Sequence, residues 1–463
     1  MSGIYGIMYT GRSALLAAQA AISATGNNIA NADTEGYSRQ TVVTSASDPF
    51  KTTYGLIGTG VDVSAVTRAQ DTFLEKQIVA ENENLGRWDA LSQALSLVET
   101  VFSEDDDYGL NAALSAFWNG SQDLADNPDG DTERSALISS AQNLADTFTG
   151  MSSSLREIQR DIETSVDGVV EDINDMAGRI ADLNQQIARA ERDGQSANTY
   201  RDSRDALLEE LSQLIDVNYY ETDNGMVTVQ VAGGANLVEG TTASSLSAEV
   251  DSFTGDLAIT LTGSDGGEAD ITDKITGGEL KGWIEARDEH VAGYLDSLDE
   301  LAAAIMSEVN ALHASGYGLD GSTGYALFTG SSAVDMAVNQ DLIDDHALIA
   351  ASATSDGVPG DNGTALAIAA LGEALVMDGG ESTFAGYYSS LVGEVGSAVE
   401  TAESNVDYYT DVAASLDNLK QSITGVSIDE ETVNLVMLQS AYDAAAKIIN
   451  IVDEMLNTLL DIG

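Results

Sequence analysis

The 463-residue sequence has no cysteine, which excludes disulfides, thiolate metal sites and thiol nucleophiles. Only three prolines, Pro49, Pro128 and Pro359, interrupt it, so long helices are open to the chain. Basic residues are scarce: 19 lysines and arginines stand against 76 aspartates and glutamates, a net charge of -57. Nucleic acid and anionic membrane surfaces both demand basic patches, so neither is an expected partner. The excess favours solubility and implies counterions wherever copies pack together, and a high-salt habitat explains it better than a cation-binding role. Histidine is limited to His290, His313 and His346, with no HExxH pairing. The amino terminus lacks the basic region and unbroken apolar run of a cleavable secretory signal. No later apolar stretch approaches membrane-spanning length, so membrane insertion is not expected.

What the chain does have is periodicity. With 43% hydrophobic residues it is long enough for several domains and an ample core. Near the start, Met8, Leu15, Ile22 and Ile29 recur every seven positions, with the small residues Gly11, Ala18 and Thr25 between them. At the other end, Leu435, Tyr442, Ile449 and Leu456 form one heptad series, while Leu438, Ala445, Val452 and Leu459 form a second. Each segment alone would be a marginal helix in water, so each needs a partner, and the economical one is the other terminus. The expectation is that the two ends lie lengthwise together as a coiled coil, bringing residue 22 near residue 449. The strongest pattern runs from Leu137 to Ile187 in steps of three and four, doubled at Ile162, and predicts one helix roughly 75 Å long.

Between these stripes the period changes. Residues 41 to 66 read as an extended or hairpin segment, and from Val217 the period becomes two, with a hairpin turn at Asp223-Asn224-Gly225. Helix resumes by Val291, a glycine-rich irregular stretch follows from Gly316 to Gly363, and a further stripe runs from Phe384 to Leu416. The predicted fold is therefore mainly α with an inserted β domain. Residues 1–40 plus 426–463 form an inner terminal domain, and 41–215 plus 279–425 a long-helix body with an irregular insertion at 316–363. Residues 216–278 form an outer β domain.

Gly316, Gly318 and Gly321 match GxGxxG, but they follow a helix rather than a strand, so a flexible loop is the preferred reading. The acidic runs Glu104 to Asp107 and Asp126 to Asp131 lack the ligand spacing of an EF-hand and read as solvated loops. No carboxylate pair is singled out for acid and base chemistry. No catalytic residue, metal or cofactor is implied.

The stretch Asn27-Asn28-Ile29-Ala30-Asn31, followed by Gly36-Tyr37-Ser38-Arg39-Gln40, resembles the amino-terminal signature of bacterial flagellar axial proteins, the rod, hook and hook-associated components. The variant after Asn31 resembles the hook-associated members most. Asp429-Glu430-Glu431, Asn434-Leu435, Gln439, Tyr442 and Ala446-Lys447 are similar to the carboxy-terminal signature of the same family. The resemblance implies a non-enzymatic structural protein, exported by the flagellar apparatus without a cleaved signal and located outside the cell at the junction of hook and filament. Its implied partners are further copies of itself, the hook protein, a second hook-associated junction protein, and an export chaperone on the carboxy-terminal helix. A hook or rod protein, a secreted enzyme with a site between Val217 and Gly363, and an acidic cation-binding surface protein stay open as alternatives. Both terminal stripes are expected to be largely disordered in the free monomer and to fold when neighbours supply apolar surface.

Overall fold

A computed structural model describes residues 2–53, 55–103, 109–251 and 255–462. The acidic run Glu104 to Asp107 lies outside them, as does the side chain of Leu459. The chain opens with α1 (Ser2–Ala30) and a hairpin of β1 (Gln40–Ala46) and β4 (Val61–Arg68), tipped by β2 (Phe50–Thr52) and β3 (Gly55–Ile57). Four helices follow: α2 (Thr72–Phe102), α3 (Leu110–Asp126), α4 (Asp131–Ala190) and α5 (Asn198–Leu214). Two antiparallel sheets come next. One has β5 (Asn218–Glu221), β6 (Val227–Val231), β7 (Ala235–Glu239) and β8 (Thr242–Ala243) in sequence order; the other centres β10 (Leu257–Thr262) between β9 (Ser245–Val250) and β11 (Glu268–Asp270). Helix α6 (Gly278–Glu285) runs through a π turn into α7 (Ala292–Ser315). After short elements β12 (Phe328–Thr329), β13 (Ala337–Val338), α8 (Gln340–Asp344) and α9 (Gly363–Ala370), the chain ends in α10 (Phe384–Thr424) and α11 (Ile428–Ile462). Helix accounts for 66% of the described residues, with sheet as the minor part.

Helix α4 is the spine. It starts directly after the Asn127-Pro128-Asp129-Gly130 break, with Asp131 and Glu133 in its first turn, where the helix dipole favours negative charge. At 60 residues it is about 90 Å long, more than the apolar stripe alone predicts, because polar turns extend it at both ends. The stripe from Leu137 to Ile187 is buried throughout except at Leu183, which is half-buried against the core. One continuous core links it to α2, α3, α7, the upper part of α10 and both sheets.

The strands between Asn218 and Asp270 share the helical core. The Asn184 side chain donates to the carbonyls of Val227 and Gly240, both at 2.7 Å, and accepts from the Val227 N–H at 3.0 Å. Asn174 does the same for Leu246, donating at 2.9 Å and accepting at 2.7 Å. Two asparagines thus dock the sheets onto α4, their amides standing in for the edge of a strand.

The stretch from Gly316 to Gly363 is not the flexible irregular segment that its glycines suggest. Leu327, Phe328, Ala333, Leu342 and Ile349 are all buried. Buried Arg134 on α4 donates to the carbonyls of Pro128, His346 and Ile349 at 2.6, 3.2 and 2.6 Å. A Cβ on Gly316 would meet Thr364 at 2.5 Å, and one on Gly318 the Ala347 carbonyl at 2.5 Å. These glycines permit close packing, and no strand precedes them to build a dinucleotide site.

Two further readings need correction. The hairpin residues 41–68, grouped above with the long helices, lie along α1, with the Val61 N–H donating to Ser13 Oγ at 3.3 Å. Between Phe384 and Thr458 one window reaches a mean hydropathy of 1.2, long and apolar enough to cross a membrane, with 11% of it buried. No unbroken apolar run exists there, but Asp443 and Lys447 are the only charges between Leu435 and Val452, so the average passes.

Candidate assembly interface

Helices α1 and α11 pack against each other along their lengths, joining residues at opposite ends of the sequence. A Cβ on Gly11 would touch Ile448 and Ile449 at 3.2 Å, and Asn28 hydrogen-bonds Glu431. Those two contacts set an antiparallel register, so Ile22 faces the level of residue 437 rather than Ile449. The buried seam is the small series: Gly11, Ala18 and Thr25 on α1, against Ala445 and Val452 on α11. Small residues let the two backbones approach, and the larger side chains then flank the contact. Leu15, Ile22 and Ile29 on α1, and Leu435, Leu438, Ile449 and Leu456 on α11, are half-buried. Met8 is 38% and Tyr442 36% exposed. Further out, Tyr9, Leu16, Val433, Val436, Met437 and Ile451 face solvent.

The two terminal motifs meet each other. Where α1 ends, the chain turns through Gly36, which has φ +73, a conformation glycine adopts without strain. Asn28, only 1% exposed, organises this elbow. Its amide donates to the Gln40 carbonyl at 2.9 Å and accepts from the Gln40 N–H at 2.9 Å and the Tyr37 hydroxyl at 2.9 Å. It also donates to Glu431 Oε2 at 3.1 Å. The other oxygen of Glu431 accepts from Arg39 Nε at 2.7 Å. A carboxylate that is 2% exposed is costly unless both oxygens are satisfied, and Asn28 and Arg39 satisfy one each.

The remaining signature residues buttress this arrangement. Asn31 donates to the Asn27 carbonyl at 2.9 Å, and Asn27 donates to the Tyr37 hydroxyl at 3.2 Å. The Ser38 N–H donates to Asp202 on α5 at 3.3 Å, and Arg68 binds Asp202 at 2.8 Å and also pairs with Asp205. The Arg39 N–H donates to the Thr424 carbonyl at 2.8 Å, tying the elbow to the end of α10. Burial, then the charges of Asp202 and Glu431, hold the Tyr37 hydroxyl above its ordinary pKa, so it stays a protonated donor at neutral pH. Sequence spacing marks these residues but cannot show that Asn28 and Glu431 are partners. Among the described residues, no group of three or more metal-ligating side chains gathers anywhere.

The two ends define the class. Residues 8–37 match the model of the flagella basal body rod protein, and residues 421–462 that of the carboxy-terminal region of the flagellar basal body rod FlgEFG protein, so the joined helices are those of a flagellar axial protein. Residues 95–328 match the model for the helical domain of flagellar hook-associated protein FlgK. The chain is 32% identical to flagellar hook-associated protein 1 of Bacillus subtilis over 98% of its own length and 97% of the relative's. It is 27% identical to the protein of that name in Escherichia coli, covering 97% and 98% of the two chains. The chain therefore belongs to the FlgK family of flagellar hook-associated proteins, structural components of the bacterial flagellum. In fold it is similar to the flagellar hook junction protein FlgK from Burkholderia pseudomallei, with a TM-score of 0.69 at 16% identity over 75% of this chain and all of that one.

Proposed function

We propose that copies of this chain stand side by side on the hook as a ring, with α1 and α11 paired as an inner coiled coil and the helical body and β sheets outward. The filament is carried through a second hook-associated protein. One observation carries this reading. In a chain of net charge -57, α1 contains no aspartate or glutamate, and its only charged side chain is Arg12. A solvent-facing helix of so acidic a protein would share the excess; one enclosed by neighbouring copies has to exclude it, because buried like charges are costly. Residues 1–69 and 426–463 together carry five basic against eleven acidic side chains, and the rest of the chain carries 14 against 65. The apolar residues left exposed on α1 and α11 supply the surface that neighbours cover.

The assembly residues inferred from the heptads, Met8, Leu15, Ala18, Ile22, Ile29, Leu435, Leu438, Tyr442, Ile449, Val452, Leu456 and Leu459, take this role together. The apolar stretch of α11 is enclosed by protein rather than lipid, and before assembly the same stripe suits an export chaperone. Domain division follows function: the joined termini assemble, the long-helix body spaces them, and the sheets face outward. The protein acts as structure and not as an enzyme, outside the cell, and reaches its site unfolded and without a cleaved signal. Deleting the gene tests this directly. Hooks without filaments, with flagellin lost to the medium, are expected; normal filaments on the deletion strain would refute it.

A further inference from the structure

A large cavity opens beneath the elbow, between Ala32–Arg39, α5 and the turn from α10 to α11, with a volume of about 1230 Å³. Its rim is acidic: Asp33, Glu35, Glu210, Asp417 and Glu430 are all exposed. The two cations that reach it are already engaged, Arg39 with Glu431 at 2.7 Å and Lys420 with Glu209 at 2.6 Å. Ile423 and Val426 add an apolar wall. The cavity is thus shaped for a guest with an apolar body and a positive charge.

This chain carries such a guest at the tip of its own hairpin. Phe50, Leu56 and Ile57 are all more than half exposed there, and the exposed Lys51 lies between Phe50 and Thr52 on β2. No ion pair is recorded for Lys51 among the described residues. In a sequence with four acids for every base, an unpaired lysine amid three exposed apolar side chains is a feature of its own. The tip cannot fill the cavity of its own chain. The hairpin leaves the elbow at Gln40 and runs back along α1 until Gly60 and Val61 reach Thr10 and Ser13. The tip is therefore roughly 25 Å or more from residues 32–39, by the rise along α1.

We propose that the hairpin tip of one copy, Phe50 and Lys51 foremost, docks in the acid-rimmed cavity at the elbow of a second copy. The contact is heterologous, tip to elbow, so it propagates from copy to copy and does not stop at a dimer. Apolar burial of Phe50 and Leu56 gives it affinity, and Lys51 against the rim gives it register and orientation. It rests on the self-assembly reading and adds to it a contact made outside the terminal helix pair.

The absence of cysteine makes the test clean. Cells making this protein would co-express two full-length alleles, one carrying L56C and the other S422C in the cavity wall, and their flagella would be treated with a short bifunctional thiol cross-linker. A cross-link between the two kinds of copy is expected, with none when S422C is replaced by S404C on the exposed face of α10. K51E should lower the yield about threefold, and E35K in the other allele should restore it. A control pair, L16C with V436C, reports contact between terminal helices of different copies. If the control links and L56C with S422C does not, or if L56C links equally to S404C, tip-to-elbow docking is wrong and the assembly reading stands. If neither pair links, both fall.

Discussion

Helix α4 and the α1–α11 pair carry the same kind of apolar stripe and meet different fates. Along α4 every stripe residue but Leu183 is buried within one chain, because α2, α3, α7 and the two sheets converge on it. On α1 and α11 little more than the narrow seam and the Asn28–Glu431 contact is buried, and large residues such as Leu16, Val436 and Met437 remain in water. A heptad states that a face must be covered; it does not state by what. The body resolves its pattern internally, and the termini leave theirs partly open, which is the physical difference between a scaffold and a joint.

The largest effect that sharpens this contrast is expected in the body. Phe148→Ala, at a fully buried position on α4, should cost about 3–5 kcal/mol, read as a fall in denaturation midpoint of the free chain. By contrast V436S with M437S should change monomer stability by no more than about 0.5 kcal/mol each while preventing incorporation into flagella. Equal loss of monomer stability in both would erase the distinction.

Glu431→Ala comes next. It leaves buried Asn28 without one partner and Arg39 without the closer of its two ion pairs, with only Glu430 at 3.6 Å remaining, a loss of about 1–3 kcal/mol, seen as weakened amide protection of residues 428–440 in assembled protein with α4 unchanged. Protection of both regions falling together would mean that the elbow is not a separate unit.

Acid should loosen the body through a buried histidine, a residue type that α1 and α11 do not contain. His313 Nδ1 meets the Tyr325 carbonyl at 2.7 Å, and its Nε2 accepts from the Ala350 N–H at 3.0 Å. Burial pushes its pKa down from 6.5 to about 4. The unfolded chain therefore binds the proton first, and stability contributed by neutral His313 is lost as pH falls from about 6.5 to about 4. Exchange of the Ala350 amide should accelerate over that window. Glu83 works in the opposite sense: burial raises its carboxyl to about 7, so its contribution is present below about 4.5 and lost as pH rises through about 7. Glu83→Gln, which keeps an acceptor for the Val217 N–H, should raise the midpoint at pH 8 and not at pH 4.

The smallest effect expected is that of salt. Repulsion between the acidic bodies should weaken the assembled junction at low ionic strength, where the screening length grows, measured as release of subunits on dilution into low-salt buffer. Indifference to salt would mean that the bodies stand too far apart for their charge to matter.

The contrast also shows what the sequence could and could not reveal. Helix α4 was legible because its stripe is long and its partners merely have to be apolar. The seam was legible as a pattern: Gly11, Ala18 and Thr25 are small enough for a neighbouring helix to approach closely, and they are buried, while Leu15 and Ile22 are half-buried and Met8 is exposed. Asn28 was visible only as part of a motif, because its partner Glu431 lies 403 residues away. The sequence does not mark Arg134 and His313 as buried, because buried polar groups are indistinguishable from surface ones until their carbonyl partners are known. The stretch 316–363 looked irregular because its elements are too short to show a period.

The central claim is that the terminal helices are completed by other copies while the body is complete alone. Hydrogen exchange on the full-length monomer and on assembled flagella addresses it most directly. The account predicts strong protection of α4 in both, and protection of residues 15–29 only after assembly. Strong protection of residues 15–29 in the isolated monomer would contradict it.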